Sequence, residues 1–352
     1  MLSRLRWLLV IGVAVVVSGC ASMSLDIGYY WQSITGHLAV MRAGRPIDEF
    51  LADPGTDARL RSQLELVRRI RAFASIELAL PDNGSYTRYA DLKRPFVLWN
   101  IFATPELSMR LEQWCFPIAG CINYRGYYAK DEADHFADDL RAKGLDVQVG
   151  GVPAYSTLGW FDDPVLSTFI NYPEGELARL VFHELAHQVL YVQSDSTFNE
   201  SFASAVEEAG VERWLAKHAD DKKRNDYRLY QQRRLEFIGL LKKHRAQLQA
   251  VYDGERGDDD KRRGKQTVFD SLQRDYQQLK LSWGGWTGYD RWFAQKLSNA
   301  HLASVATYSD AVPGFLTLLK KNDGDLPRFF VAAKELAAKD KSERDRLLGV
   351  QR

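Results

Sequence analysis

Leu177-Ala178-Arg179-Leu180-Val181-Phe182-His183-Glu184-Leu185-Ala186-His187-Gln188-Val189-Leu190 decides both the fold and the chemistry. Leu177, Leu180, Val181, Leu185, Val189 and Leu190 recur at three- and four-residue intervals. That period predicts a helix from Glu174 to Val192 with an apolar stripe. On it His183 and His187, at i and i+4, share a face and can ligate one Zn²⁺ at about 2.0–2.1 Å. Glu184 stands beside the first ligand, where it can take a proton from a water activated by the ion. The alternative is two histidines on a core helix without a metal.

A zinc site needs a third protein ligand. Asn199-Glu200-Ser201-Phe202-Ala203 resembles the second motif of the gluzincins, the superfamily of thermolysin and aminopeptidase N. There a Glu in an N-E-x-x-[SA] context on the next helix completes the site, so the resemblance assigns Glu200. Twelve residues separate His187 from Glu200, fewer than in the best-known members. Geometry permits this. The first helix runs about 7.5 Å beyond His187, a loop from Gln193 to Thr197 reverses the chain, and Glu200 enters on a return helix from Phe198 to Ala219. The alternative for Glu200 is a capping box, Thr197-x-x-Glu200, with the carboxylate folded back on the backbone. Glu207, two turns on, is a fallback ligand or an outer partner. Ser204 is a second outer partner for a histidine ring N–H.

Toward the N-terminus, Arg4 and Arg6 precede an apolar run from Trp7 to Val17 that ends in Val17-Ser18-Gly19-Cys20. Eleven apolar residues are too few to span a bilayer but match a signal-peptide core. The ending resembles the lipobox of bacterial lipoproteins. It implies cleavage before Cys20, acylation of that residue and a membrane-anchored mature chain. Ala21 and Ser22, with no Asp after the Cys, imply the outer membrane, facing the periplasm. In that oxidising compartment Cys115 and Cys121 are expected as a disulfide across a Pro- and Gly-containing loop, with two buried thiols as the alternative.

The chain has 352 residues, 45 % apolar and 26 % charged, with a formal charge of +1. These values exclude general disorder and a multi-span membrane protein, and give no electrostatic case for nucleic acid. Helices are expected at Tyr29–Met41, Pro46–Leu51, Asp57–Leu80 and Asp131–Lys143. Strands are expected at Phe96–Phe102, Cys121–Tyr128 and Leu145–Val149. Lys222 to Gln249 reads as a charged helix, and Gly254 to Lys265 as a solvated linker. His37, His135, His218 and His244 read as surface residues. The fold class is α+β, predominantly α-helical. A small mixed sheet is packed beside a zincin-type helix pair, with a helical C-terminal part. The expected divisions are 1–19 signal peptide, 20–95 N-terminal helices, 96–220 zinc core, 221–267 charged helix and linker, and 268–352 C-terminal helices.

Taken together, Trp114-Cys115-Phe116-Pro117, Gly151 to Pro164, the segment from His183 to Glu200 and Asn299-Ala300-His301 resemble a bacterial family of aminopeptidase-like zinc proteins, many of them lipoproteins. The resemblance implies a peptide substrate and one Zn²⁺. Ala154 to Trp160 is extended in character, and in gluzincins an edge strand at this place pairs with substrate. It lacks the Glu that aminopeptidase N uses for the substrate amine, leaving Asp162 or Asp163 for that role. Tyr155, His301 and Tyr308 are candidate oxyanion donors. Besides an aminopeptidase, a narrow zinc endopeptidase, an inactive partner-binding lipoprotein and a zinc carrier fit these residues. Oligomeric state cannot be read from them.

Overall fold

The computed structural model describes residues 27–116 and 120–350, with the side chains of 306–309 excluded. The lipobox, Cys20 included, lies outside the described residues, and so does the side chain of Tyr308. The chain begins with α1 (Ile27–Ala43), β1 (Gly44–Pro46), α2 (Ile47–Ala52) and α3 (Ala58–Leu78). After β2 (Arg88–Ala90) and β3 (Leu98–Pro105) come the short strands β4 (Trp114–Phe116), β5 (Gly120–Ile122) and β6 (Arg125–Tyr127). Next are α4 (Lys130–Ala142), β7 (Leu145–Val152), β8 (Val165–Leu166), α5 (Glu174–Val189) and α6 (Ser196–His218). The C-terminal part is helical: α7 (Asp221–Asp253), α8 (Asp258–Ser282), α9 (Asp290–Phe293), α10 (Asn299–Ser309), α11 (Val312–Lys321), α12 (Leu326–Ala337) and α13 (Lys341–Leu348). The α+β, mainly helical fold class holds.

The strands form three small sheets. β3 lies between β6 and β7, antiparallel to both, in register from Leu98↔Val152 to Pro105↔Leu145. α4 covers one face of this sheet through Ala133, Ala137 and Leu140. β7 runs through Gly150-Gly151 rather than stopping there. A Cβ on Gly151 would sit 2.2 Å from the Phe96 ring, so only glycine lets strand and ring close up. β2 pairs antiparallel with β1 and parallel with β8. β4 and β5 form a hairpin with Cys115 opposite Cys121, and the two are joined as a disulfide.

The largest core joins α3, α5, α6 and the C-terminal α11 and α12. Leu64, Val67, Ile70, Leu177, Val181, Leu185, Phe202, Phe315 and Phe329 are all fully buried within it. α3 starts where Asp57 accepts from the amides of Arg59 and Leu60. A second core lies between α7 and α8, built on Leu241, Leu248, Leu272 and Tyr276.

Two expectations for this region fail. The charge run at Asp258 is not a linker: Asp258, Asp259 and Asp260 occupy the first turn of α8, where their charges suit the helix N-terminus. Arg262 bonds Asp259 at 2.9 Å from one turn further on. His244 is not a surface residue either. It is fully buried on α7, bonded to the Leu240 carbonyl at 2.9 Å and lying 3.4 Å from Asp275.

Candidate metal centre

α5 and α6 are an antiparallel pair joined by a turn of six residues. α5 begins after Pro173, which fixes the entry dihedral, and buries Leu177, Leu180, Val181 and Leu185. That burial fixes the rotation of the helix and turns His183 and His187 toward α6. The turn is held at three points. Ser194 takes φ +61° and its hydroxyl accepts from the Cys121 amide at 3.0 Å. Asn199 bonds both the amide and the carbonyl of Val192, each at 2.8 Å. Asp195 caps α6 through the Phe198 amide and accepts from Arg344 at 2.8 Å and Lys341 at 3.1 Å, both on α13.

The capping box is therefore not formed. Asp195 takes the N-cap position, which frees the Glu200 carboxylate to face the histidines. His183 Nε2 lies 3.3 Å from Glu200 Oε2 and 3.2 Å from His187 Nε2, and His187 Nε2 lies 3.9 Å from Glu200 Oε1. One donor atom from each of the three falls within 4.8 Å of the others. Two ligands of a tetrahedral zinc are about 3.4 Å apart when each bond is 2.0–2.1 Å. The donor set and its spacing fit that ion.

Behind His183 runs a chain of charges that the sequence showed only in part. His183 Nδ1 donates to Glu207 at 2.8 Å, and Glu207 accepts twice from Arg179 at 3.0 and 3.2 Å. Arg179 also bonds Glu176 at 2.9 Å. Arg179 and Glu176 were missed. Their signal was present, since Glu176, Arg179 and His183 stand at i, i+3 and i+7 on one face of α5. Ser204 is buried and has no hydrogen bond to either histidine among the described residues. His187 Nδ1 is buried and has no hydrogen-bond partner among the described residues.

The charges are strongly coupled. Burial opposes ionisation of His183, but hydrogen bonds and charges from Glu200 and Glu207 hold it up to about 10. Burial drives His187 down to about 4 against the pull of Glu200. Glu207 is held down to about 2, against burial, chiefly by Arg179 and His183. Burial pushes the Glu184 carboxyl up to about 7; His183 opposes the rise and Glu200 and Asp163 add to it. A carboxyl poised there can both accept and return a proton near neutral pH.

The other predicted site residues have other hydrogen-bond partners, although the charge of Asp163 is felt at Glu184. The Tyr155 hydroxyl is bonded to His37 Nδ1 at 2.7 Å. His301 Nδ1 accepts from the Ser298 amide at 3.1 Å and packs beside Trp292, remote in its partners from the histidine pair. Asp163 is spent on the Thr157 amide at 2.9 Å, while Asp162 is exposed. Ala154 to Trp160 forms no strand. The ladder ends at Val152, Pro153 has no amide to donate, and Leu158 and Gly159 turn the chain at positive φ.

Tyr86 was not foreseen. It is buried with φ +64°, a strained value for an aromatic residue, and its hydroxyl has no partner among the described residues. Burial and then the charge of Glu184 push its ionisation up. Arg71 holds the loop before it by bonding the carbonyls of Pro81, Asn83 and Ser85 at 2.7–2.9 Å. Gln188 on α5 ties that loop to the histidine helix through Asn83 and Ser85.

The family described as "Putative aminopeptidase" matches residues 28–348. The chain belongs to that family. Membership covers nearly the whole described fold and places the chain among peptidase-like proteins at that coarse level. A search of curated proteins and a search of solved structures each gave no match.

Proposed function

We propose that this member of the aminopeptidase family is a zinc-dependent peptide hydrolase, an aminopeptidase held at a membrane by an acylated Cys20. The observation that carries the reading is the meeting of His183, His187 and Glu200 donor atoms within 4.8 Å, with Glu184 beside them. Bound by these three residues, zinc would supply Lewis-acid polarisation of a carbonyl and a water nucleophilic near pH 7. The chain's own residues do the rest. Glu184 accepts the proton of the attacking water at its carboxylate and returns it to the leaving amine. Glu207 keeps His183 in one tautomer and orientation, and Arg179 keeps Glu207 charged. Tyr155 and His301 are hydrogen-bonded to His37 and Ser298, so the Tyr86 hydroxyl, unpartnered among the described residues, is the preferred candidate donor to the oxyanion. Exposed Asp162 remains as a partner for a substrate amine.

The test is metal analysis of wild type and of His183→Ala, His187→Ala and Glu200→Ala, followed by digestion of free and N-acetylated peptide libraries. The reading expects zinc in the wild type, loss of it in each variant, and stepwise removal of residues from free N-termini. Internal cleavage of acetylated peptides replaces the aminopeptidase with an endopeptidase. Full zinc without cleavage replaces both with a carrier or partner-binding protein.

A further inference from the structure

α1 is apolar on two opposite faces. Tyr29, Gln32, Gly36 and Val40 face the protein. Gln32 bonds the Tyr128 amide, Tyr29 packs on Tyr127, and Gly36 leaves no room for a Cβ against the Tyr128 ring. The opposite face carries Ile27, Trp31, Ile34 and Leu38, at i, i+4, i+7 and i+11, which superimpose along the helix. They are 77, 69, 56 and 37 % exposed. A surface helix ordinarily turns a single apolar stripe inward and a polar face outward.

A second apolar element adjoins α1. Phe161 packs its ring, tilted by 60°, 4.7 Å from that of His37 on α1. Its neighbour Trp160 is 73 % exposed and Phe161 itself 50 %. The turn that presents them is fixed. Thr157 accepts from the Trp160 amide through its carbonyl at 3.1 Å and from the Phe161 amide through its hydroxyl at 3.2 Å. Two segments more than a hundred residues apart, joined through the Phe161–His37 contact, thus expose six large apolar side chains. Large apolar side chains exposed together on adjoining elements mark a binding face.

We infer that this face lies on a lipid bilayer and fixes the orientation of the chain on it. The inference rests on the reading of Cys20 as an acylated anchor. Cys20 stands seven residues before Ile27, so an extended chain between them reaches at most about 25 Å. An anchor there holds α1 within touching distance of the membrane. The exposed Trp31 and Trp160 suit the membrane–water interface, where an apolar ring body and a polar N–H are both satisfied. Arg42, exposed at the end of the helix, suits lipid phosphate. Gly159 in the presenting turn lies 3.8 Å, measured from where its Cβ would be, from Gln188, next to His187. Bilayer contact therefore sets how the metal centre sits above the lipid.

The test uses the full chain purified from membranes and reconstituted on vesicles of phosphatidylethanolamine and phosphatidylglycerol, with plain or brominated acyl chains. Bromine quenches only tryptophans that enter the lipid. Two of the eight tryptophans after Cys20 are in the patch, so about a quarter of the emission should be lost on brominated vesicles. Trp31→Phe/Trp160→Phe should abolish that loss while leaving the circular dichroism spectrum unchanged. Equal emission on plain and brominated vesicles, or equal quenching in the double variant, overturns the inference. So does a dimer in detergent that Trp31→Glu dissociates, because a second copy would then own the face. Mass analysis of the N-terminal peptide separates the two readings. Acylated Cys20 without quenching leaves the anchor standing and removes the face. Quenching on vesicles without acylation removes the anchor and keeps the face. Neither acylation nor vesicle binding removes both.

Discussion

Asn199→Ala should loosen the metal centre without touching a ligand. The side chain is 2 % exposed and pins the start of α6 to the end of α5 by bonding the Val192 amide and carbonyl, each at 2.8 Å. Truncation strands both groups. A net hydrogen bond contributes about 1 kcal/mol and a stranded buried group costs about 1–3, so the loss should be about 2–4 kcal/mol. Glu200 is the next residue. Its carboxylate loses the constraint that holds it beside His183, and zinc affinity should fall about tenfold or more, as for other outer contacts to metal ligands. Asn199→Asp keeps the acceptor for the Val192 amide but sets a carboxylate oxygen against the Val192 carbonyl, so it should be no more stable than the alanine variant. Urea denaturation and zinc titration against a chromogenic chelator give both numbers. An alanine variant within about 0.5 kcal/mol of wild type, with unchanged zinc affinity, refutes the reasoning.

Glu207→Gln should lower zinc affinity about 10–100-fold by weakening the hold on His183. It should also cost about 3 kcal/mol of stability, because Arg179, 21 % exposed, loses one of its two charged partners. Wild-type affinity in a chelator titration contradicts this. His301 should create an acid limb. Burial, reinforced by Arg141 and opposed by the Ser298 backbone, drives it down to about 4, whereas the unfolded chain protonates near 6.5. The unfolded state then takes up the proton first as pH falls. Stability should be complete above about 6.5 and decline by about 3 kcal/mol toward pH 4. His301→Gln should flatten that limb in urea melts run across the range, and an unchanged limb sinks the assignment.

The donor helices were legible because their signals are local. His183 and His187 need only helical spacing, and Asn199-Glu200 follows within one hairpin. Strands β3 and β7, though not their pairing, were also legible from apolar runs, and the Cys115–Cys121 disulfide from two cysteines six apart. What failed depended on distant partners. β2 meets β8 through Tyr89 and Val165, in strands too short to carry a pattern. Thr197-x-x-Glu200 has two valid local readings, and the choice was made by Asp195, itself fixed by Arg344 from the far end of the chain. A run of like charges looks the same at a helix start as in a linker, which hid α8. The partners of Tyr155 and His301, His37 and Ser298, were likewise not legible. Tyr86 had no signal, since its strained backbone is imposed by the loop that Arg71 gathers.

Hydrolysis of a free peptide by Glu184→Gln, measured at verified full zinc occupancy, tests the central claim most directly. The substitution keeps the side chain's size and all three donors while removing the proton acceptor. The account predicts zinc near one equivalent, as in wild type, with the rate reduced by at least about 10²–10⁴-fold, the range of general-base catalysis. A zinc-loaded Glu184→Gln that cleaves as fast as wild type contradicts it.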